Sequence, residues 1–336
     1  MQRVTTIADL RHAVAGARSA GARIGFVPTM GALHRGHLCL VEQMREHSDF
    51  VVVSIFVNPT QFAPTEDLAA YPRDIDADQA ALASLGPHAP DLVFAPSVAE
   101  VYPTPGFTTV HVEGLGDRLC GASRPTHFDG VTTVVAKLLH MVKPDVAMFG
   151  RKDFQQLTVI RRMVADLNLD VDIQGGLTVR EPDGVAMSSR NAYLSDQERL
   201  AARALSQALR AAVLAARGDL GPGAGAKTNF LRAAAARRLA DESLITLDYL
   251  EVLHPENLEP VGGPEPFDPA TSSGGEAGNP RETAGGKHGQ PTRMLVAIAA
   301  HVGPARLIDN VVIGDQQDED ALLAATQDGN ETAPRR

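Results

Sequence analysis

The first half of the chain alternates short apolar runs with longer amphipathic stretches, and this alternation limits the fold more than any other feature. The runs at 23–28, 50–57, 91–96 and 146–150 are short, partly β-branched and bounded by Pro, Gly or Asn, as buried strands are. The clearest helical pattern covers 153–168, where apolar residues recur every three or four positions. Repeated strand–helix–strand units predict an α/β fold with a doubly wound parallel sheet.

The second half has a different character. Ser195 and Glu198 form a capping box that opens an alanine-rich helix, and Gly218 ends it. Residues 260–292 are rich in Gly and Pro and contain almost no large apolar side chains, so we expect a disordered insertion there. Strand-like residues resume at 293.

The resulting domain prediction has three parts. A chain of 336 residues is long for one compact core, so two domains are expected. We place the boundary near residue 180, which gives a first domain at 1–180 and a smaller α/β domain at 181–320. Residues 321–336 are predicted to form a loose tail.

Composition excludes several classes of partner. The formal net charge is −10, which opposes non-specific attraction to nucleic acid or to an anionic membrane, so neither is expected as a partner. The N-terminus lacks the apolar core of a signal peptide and no run is long enough to span a bilayer, which predicts a soluble protein. The two cysteines, Cys39 and Cys120, fit neither a disulfide framework nor a zinc site and suit a reducing cytoplasm.

Three polar segments follow strand candidates: PTMGALHRGH at 28–37, NPTQF at 58–62 and GRKDFQQ at 150–156. Ligands of doubly wound sheets bind at the carboxyl ends of the strands, near the point where strand order reverses. We therefore expect the three segments to converge in space, although they are far apart in sequence.

The first segment has the features of a phosphate-binding turn. Gly31 and Gly36 permit a tight turn, and His37 falls in the first turn of a helix, where free N–H groups favour an anion. His34, three residues earlier, is expected to face the same ligand. The alternative is a pair of surface or capping histidines. No cysteine or third histidine at suitable spacing completes a metal site, so no metal-binding residue is predicted.

The second segment offers neutral amides, and a later one offers cations. Asn58 and Gln61 can bind hydroxyl and carboxylate groups without adding charge, although the stretch also fits a simple proline-containing turn. Arg124 and His127 precede a helix, where a basic pair suits an anion, although arginine is more often exposed to solvent. These residues are candidate substrate or phosphate contacts.

The third segment places Lys152 within reach of phosphates and Asp153 within reach of ribose hydroxyls, with Gln156 one turn later. The alternative is a charged helix start capped by Asp153. A further loop supplies two hydroxyls and a guanidinium suited to a leaving pyrophosphate, or is only a serine-rich loop: Ser188, Ser189 and Arg190. Together these segments indicate one anionic ligand the size of a nucleotide.

Seven motifs, in order, resemble those of the pantoate–β-alanine ligase family, over residues 1–260 and 293–313. They are PTMGALHRGH, VSIFVNPTQF, YPRD, RPTHFDGVTTVVAKLL, FGRKDFQQLTVIRRMVADLN, TVREPDGVAMSSRNAYLS and RLIDN. The H-x-G-H turn also resembles that of the wider nucleotidyltransferase and class I tRNA synthetase superfamily.

The resemblance implies a Rossmann-like N-terminal domain, a smaller C-terminal domain that closes over ATP, and a homodimer. The implied reaction is the ATP-dependent condensation of (R)-pantoate with β-alanine. It yields pantothenate, AMP and pyrophosphate through a pantoyl-adenylate. Mg²⁺ is expected to accompany ATP. Asp74 and Asp78 lie one helical turn apart, but we interpret them as solvated surface carboxylates and not as Mg²⁺ ligands.

The same resemblance implies roles for individual residues. His37 is implied as the proton donor, and His34, Lys152 and Arg190 join it as catalytic residues. Gln61 and Gln156 are implied to bind pantoate, and Gln61 also β-alanine. The implied ATP-binding residues are Met30, Gly31, Ala32, Leu33, His34, Arg35, Gly36, His37, Gly150, Arg151, Lys152, Asp153, Val179, Met187, Ser188, Ser189 and Arg190.

The chain departs from the family pattern at three positions. Arg151 stands where the family often has Glu, Thr126 where Gly is frequent, and Ala305 where Thr often precedes the arginine of RLIDN. None of the three removes a group to which we assign chemistry.

Two other functions compete. An H-x-G-H turn also suits a nucleotidyltransferase acting on a phosphate-bearing acceptor, but the neutral Gln61 and Gln156 disfavour it because such an acceptor calls for cations. A nucleotide-binding regulatory module is the second alternative. A sensor needs no donors to a transition state, so this alternative is disfavoured by the presence of His34, His37, Lys152 and Arg190.

Overall fold

The computed structural model describes residues 1–63, 68–69, 71–104, 106–218, 224–261 and 293–328. The chain divides into two compact units, Met1–Leu194 and Ser195–Arg336, which we describe separately. The predicted insertion lies outside the described residues except for its first two positions, 260 and 261. No helix among the described residues is long and apolar enough to cross a membrane.

Unit 1 is built on a six-stranded sheet in which every neighbouring pair is parallel. Its strands are β1 Gln2–Val4, β2 Ile24–Thr29, β3 Phe50–Ile55, β4 Leu92–Phe94, β5 Val146–Gly150 and β6 Asp172–Gly176. Its helices are α1 Ile7–Ser19, α2 Arg35–Met44, α3 Ile75–Ala83, α4 Val98–Val101, α5 Cys120–Ser123, α6 His127–Val142 and α7 Phe154–Asp166. The predicted parallel α/β fold is confirmed.

The strand order β1-β4-β3-β2-β5-β6 places the reversal between β2 and β5. From β2 the chain proceeds outward through β3 and β4, and it then returns to add β5 on the other side of β2. The central strands are fully buried at Phe26, Val27 and Val52. This burial explains why the strands are nearly continuous apolar runs and were recognisable from the sequence. The carboxyl ends of β2 and β5 therefore flank the crevice at which such sheets bind ligands.

Unit 2 contains an antiparallel sheet in the order β7-β8-β9. Its elements are α8 Asp196–Arg217, α9 Ala224–Ala240, β7 Ile245–Leu253, β8 Met294–Val302, β9 Ala305–Ile313 and α10 Gln316–Asp328. The predicted capping box is present, because the Ser195 side chain accepts from the Glu198 amide while the Glu198 carboxylate accepts from the Ser195 amide. The predicted helix end at Gly218 is also confirmed.

The predicted loose tail is wrong for residues 321–328, which belong to α10. Two acidic side chains in the first turn of α10 hold it against the end of β9: Asp318 accepts from the Val312 amide at 2.7 Å and Glu319 from the Gly314 amide at 2.8 Å. Leu322 is 1% exposed, so the helix also contributes to the core of its unit. Residues 329–336 lie outside the described part of the chain.

The backbone at position 126 has a conformation that favours glycine. Thr126 immediately precedes α6 and has φ +68° and ψ −5°, in the left-handed region. A β-branched residue is strained there, because its Cβ substituents crowd the backbone. Thr126 is therefore expected to cost stability relative to glycine at this position.

We expect Thr126→Gly to raise the free energy of unfolding by about 1 kcal/mol, since release of the backbone strain outweighs the greater freedom of glycine in the unfolded chain. Urea denaturation measures the difference. Thr108→Gly is the matched control, because Thr108 is an exposed loop threonine without a positive φ. The control should be neutral or destabilising. A Thr126→Gly variant no more stable than the wild type would show that the position is not strained.

Candidate active site

The candidate site lies in unit 1, at the carboxyl ends of the central strands. Segment 28–37 leads from β2 into α2, segment 58–62 follows β3, and segment 150–156 leads from β5 into α7. Since β2 pairs with both β3 and β5, all three segments emerge at the same edge of the sheet.

Two stacked histidines open α2. His34 is the N-cap residue, and its Nδ1 accepts from the Gly36 amide at 3.2 Å. The His34 amide in turn donates to Nδ1 of His37 at 3.4 Å, and the two ring centroids are 4.0 Å apart. A Cβ at Gly36 would lie 2.9 Å from Cε1 of His34, so glycine is required for the His34 ring to fold over this turn. Because Nδ1 is an acceptor in both neutral rings, each carries its proton on Nε2.

The electrostatics of the site keep both imidazoles neutral. Burial, followed by repulsion from His34 when that ring is protonated, lowers the pKa of His37 from 6.5 to about 3. Burial, followed by the Lys152 ammonium, lowers the pKa of His34. The Asp153 carboxylate opposes the effect of Lys152 at both rings, and Glu181 opposes it at His34, but burial dominates and both rings are uncharged donors at neutral pH. An anionic ligand would raise the pKa of both rings, because it favours their charged form.

Lys152 brings the segment after β5 to the histidines. It lies in the short 3₁₀ turn Arg151–Asp153, and its Nζ is 3.9 Å from Oδ2 of Asp153. Asp153 is the N-cap residue of α7 but makes no capping hydrogen bond with its exposed side chain. The alternative in which Asp153 serves only as a cap is therefore not favoured. Gln156 is half-buried in the first turn of α7.

The loop that carries Arg190 packs against the start of α2. The Met187 amide donates to the Val179 carbonyl at 2.9 Å, and a Cβ at Gly36 would lie 3.8 Å from Cβ of Met187. Ser188 accepts from the Arg190 amide at 3.3 Å, and the Arg190 side chain is exposed. This packing explains why unit 1 extends to Leu194 and does not end near residue 180 as predicted.

Gln61 lies at the end of a 3₁₀ turn beyond β3. Its Nε2 is 2.8 Å from Sδ of Met30, and its Oε1 accepts from Nδ2 of Asn58 at 3.2 Å. The Gln61 carbonyl accepts from Nδ1 of His127 at 2.8 Å, and Nη1 of Arg124 is 3.2 Å from Nε2 of His127. The structure therefore brings these five sequence-predicted residues into one group.

Asn58 is 1% exposed, and its amide is surrounded by protein partners. Its Nδ2 also donates to the Gly130 carbonyl, while its Oδ1 accepts from the Thr60 amide and from the Tyr102 hydroxyl. These contacts orient Gln61. A direct contact of Asn58 with substrate stays a prediction.

Two arginines of the predicted ATP set have partners within the protein. Both terminal nitrogens of Arg35 approach the Glu42 carboxylate, and Nε of Arg151 donates to the Gly175 carbonyl at 3.1 Å. Their contact with ATP stays a prediction.

The interpretation of Asp78 as a solvated surface carboxylate is wrong. Asp78 is 5% exposed, and its two oxygens accept from the Ala32 and Leu33 amides. Asp74 instead caps α3 by accepting from the Ala77 amide at 2.9 Å.

Sequence reasoning missed two further residues at this edge of the sheet. The Tyr71 hydroxyl is hydrogen-bonded to the Ser189 side chain, and burial raises the pKa of Tyr71. Gln155 is buried, donates to the Leu115 and Arg118 carbonyls, and accepts from the Cys120 amide. Tyr71 belongs to the YPRD motif, which was a usable signal. Nothing in the sequence distinguishes Gln155 from its neighbour Gln156.

A parallel α/β sheet with paired histidines at a helix start, and with a lysine from the adjacent strand end, defines a nucleotide-binding enzyme. The family model described as pantoate-beta-alanine ligase matches residues 2–312. The pantothenate synthetase of Pseudomonas aeruginosa is 48% identical over 317 residues, which cover 93% of this chain and 99% of that protein. The chain belongs to the pantoate–β-alanine ligase family.

Solved structures agree with this assignment. The pantothenate synthetase of Thermus thermophilus matches with a TM-score of 0.77 and 43% identity, over 93% of this chain and 99% of that one. The pantoate-beta-alanine ligase of Francisella tularensis, solved in complex with beta-gamma ATP and β-alanine, matches with a TM-score of 0.65 and 30% identity. That match covers 93% of this chain and 97% of the Francisella chain.

The low pKa of His37 predicts a loss of stability in acid. Between about pH 3 and pH 6.5 the unfolded chain binds a proton at His37 that the folded chain excludes. The contribution of a neutral His37 to the free energy of unfolding is therefore fully present above pH 6.5 and is lost as the pH falls. We expect His37 to account for about 2 kcal/mol of the loss between about pH 7 and pH 5. Urea unfolding of the wild type and of His37→Gln at both pH values measures it.

The control for this measurement is His88→Gln, since His88 is an exposed histidine of the same unit. It should retain the pH dependence of the wild type, whereas His37→Gln should lose less stability between these two pH values, because only His34 then retains a lowered pKa. Equal pH dependence in His37→Gln and the wild type would contradict the assignment of a buried, neutral His37.

Proposed function

We propose that His34, His37 and Lys152 stabilise the transfer of an adenylyl group to pantoate, in the ATP-dependent ligation of pantoate with β-alanine that is the reaction of this family. One observation carries the proposal: two stacked, neutral histidines open α2 at the end of β2, and Lys152, in the turn after the adjacent strand β5, is near enough for its charge to lower the pKa of both. Groups of this kind suit the phosphate oxygens of ATP at a topological switch point.

In the first step, a pantoate carboxylate oxygen forms a bond to the α-phosphorus, and the bond to the pyrophosphate oxygen breaks. The carboxylate is already ionised at neutral pH, so the step needs alignment and charge stabilisation but no general base. The products are pantoyl-adenylate and pyrophosphate. Lys152 and Arg190, with the hydroxyls of Ser188 and Ser189, stabilise the negative charge on the leaving group.

The neutral state of the histidines suits this step. Each ring turns its Nδ1 inward to a backbone amide and therefore presents Nε2–H as the remaining donor. A neutral imidazole donates to a phosphate oxygen without requiring a counter-ion, and its burial avoids reorganisation of water as charge moves. Of the two, His37 has the pKa lowered to about 3, so it acts in the free enzyme as a hydrogen-bond donor and not as a charged acid.

In the second step, the amine of β-alanine attacks the acyl carbonyl of the adenylate and an amide bond forms. The bond from the acyl carbon to the phosphate oxygen breaks, AMP leaves, and the amine nitrogen gives up its proton to solvent. Gln61 and Gln156 are proposed to bind pantoate, and Gln61 also β-alanine. Asn58 supports this role of Gln61, because its Nδ2 orients the Gln61 amide. Neutral amides suit a substrate that carries hydroxyls and a carboxylate but no phosphate, which disfavours the nucleotidyltransferase alternative.

We propose that Mg²⁺ enters with ATP. Among the described residues, no group of three or more His, Cys, Asp or Glu side chains could hold a metal ion. Divalent cations commonly bind triphosphate oxygens with few protein ligands, and this mode requires no dedicated protein site.

A homodimer and a cytoplasmic location are also proposed, because the family resemblance implies the first and composition favours the second. Both cysteines are free thiols, Cys39 partly exposed and Cys120 buried, which is compatible with a reducing compartment.

The proposed adenylate predicts that labelled pyrophosphate exchanges into ATP when pantoate is present and β-alanine is absent, because the first half-reaction is reversible by itself. Radiolabel in ATP, separated from pyrophosphate on charcoal, measures the rate. Exchange that strictly requires β-alanine would contradict an independent adenylation step. Exchange driven by a phosphorylated acceptor would instead favour the nucleotidyltransferase.

We expect His37→Ala and Lys152→Ala each to slow this exchange on the order of 100-fold or more, as the loss of a donor to the transition state does. His47→Ala is the control, because His47 is an exposed histidine beyond the end of α2. It should retain full activity. Near-normal exchange by either site variant, with an unchanged thermal transition, would remove the role assigned to that residue.

A further inference from the structure

Asp78 is a buried carboxylate with no role in the reaction as described above. It lies in the first turn of α3 and is 5% exposed. Leu82, one helical turn later on the same face, is 1% exposed and belongs to the core that includes Val27 and Leu40. That core fixes α3 to unit 1 and leaves little freedom for the Asp78 side chain to turn toward solvent.

Both oxygens of Asp78 bind the backbone of the loop that precedes the histidines. Oδ1 accepts from the Leu33 amide at 2.7 Å and Oδ2 from the Ala32 amide at 3.1 Å. The contact is close, since a Cβ at Gly31 would lie 2.8 Å from Oδ2. The carboxylate therefore touches all three residues between Met30 and His34.

This loop has a conformation that its residues do not prefer. Gly31 and Ala32 have φ of +83° and +50°, so two successive residues are left-handed and one of them carries a Cβ. A strained conformation of this kind persists only where surrounding contacts enforce it. Burying a carboxylate is itself costly unless charge-assisted hydrogen bonds offset the cost. The two amide contacts of Asp78 supply both the enforcement and the compensation.

Asp78 also lies near Tyr71, which contacts the loop of Ser189 and Arg190. The pKa of Tyr71 is raised by burial and, to a lesser degree, by the charge of Asp78, while Arg190 lowers it. The Tyr71 hydroxyl is hydrogen-bonded to Ser189. Asp78 is thus close to both the loop before His34 and the residues that hold the loop of Arg190.

We propose that Asp78 is a positioning residue for adenylation, and that its carboxylate holds the Gly31–Leu33 turn in the geometry that aims His34 and His37 at the phosphates. This proposal rests on the function proposed above for the two histidines. Asp78 is not assigned a catalytic role, because both of its oxygens accept hydrogen bonds from backbone amides.

The test compares Asp78→Asn with Asp76→Asn, the same substitution two residues earlier on the same helix. The carboxamide introduced by Asp78→Asn can accept from one of the two backbone N–H groups, but its NH₂ faces the other. Asp76 is exposed and makes only a surface contact of 3.5 Å with Arg3. We expect Asp78→Asn to slow pyrophosphate exchange on the order of 10- to 100-fold, because a small displacement of the groups that contact the reacting atoms lowers the rate by such factors. The KM for pantoate should stay within about twofold.

A second readout reports the turn directly. Hydrogen exchange of the Ala32 and Leu33 amides, followed in the free enzyme, should accelerate in Asp78→Asn and stay unchanged in Asp76→Asn. If Asp78→Asn fails to fold, Asp78→Ser removes the carboxylate with a smaller side chain. It should give the same slower pyrophosphate exchange and the same faster hydrogen exchange of the Ala32 and Leu33 amides.

The outcomes separate the two proposals. Slower pyrophosphate exchange with accelerated exchange of the two amides supports positioning by Asp78. Unchanged hydrogen-exchange rates at the Ala32 and Leu33 amides would overturn the role of Asp78 alone. Full activity in Asp78→Asn while His37→Ala is impaired would do the same. Full activity in both variants would overturn the role of the histidines as well. A rise in the KM for pantoate equal to the fall in rate would show general damage to the site and would also count against positioning.

Discussion

The parallel pairing of β2 with both β3 and β5 is the constraint on which the rest of unit 1 depends. Because these strands are buried, their register is fixed by packing, and their carboxyl ends lie at one edge of the sheet. The segments that follow them begin at that edge regardless of their distance in sequence. Residues 30–37 and 150–156 are brought together in this way, so the strand order at the reversal between β2 and β5 decides where the chemistry can occur.

At this edge of the sheet, burial affects the pKa values of the two histidines more than neighbouring charges do. A chain with a net charge of −10 must bind the anion ATP, yet only Lys152 places an ammonium beside the paired histidines in the described part of the chain. Burial keeps the imidazoles neutral and turns them into oriented donors, which bind phosphate oxygens by hydrogen bonding without a large positive field. Directional donors distinguish a transition state from a ground state better than net charge does, because they act only where charge develops.

The sequence predicted the strands at 23–28 and 146–150, the helix at 153–168 and the Ser195 capping box, because each depends on local pattern or cap chemistry. It also identified the family. It did not reveal Asp78, Tyr71 or Gln155, whose roles arise from contacts between residues far apart in the chain. The tail prediction failed at 321–328 for a similar reason: Asp318 and Glu319 stabilise α10 through amides of the preceding strand end, and composition does not encode that contact.

The position of Asp78 illustrates how geometry can outweigh charge in such a site. A carboxylate near a phosphate-binding loop repels the ligand, so its presence is unfavourable for binding taken alone. Its two hydrogen bonds to Ala32 and Leu33 nevertheless hold a left-handed turn that the loop would not otherwise adopt, and that turn determines the direction in which α2 and its histidines begin. The repulsion is weakened because both oxygens are neutralised in part by amide dipoles, whereas a misdirected His37 would lose its contact with the transition state altogether. A buried negative charge at this place is therefore compatible with binding an anion, provided that it faces the backbone of the loop and not the ligand.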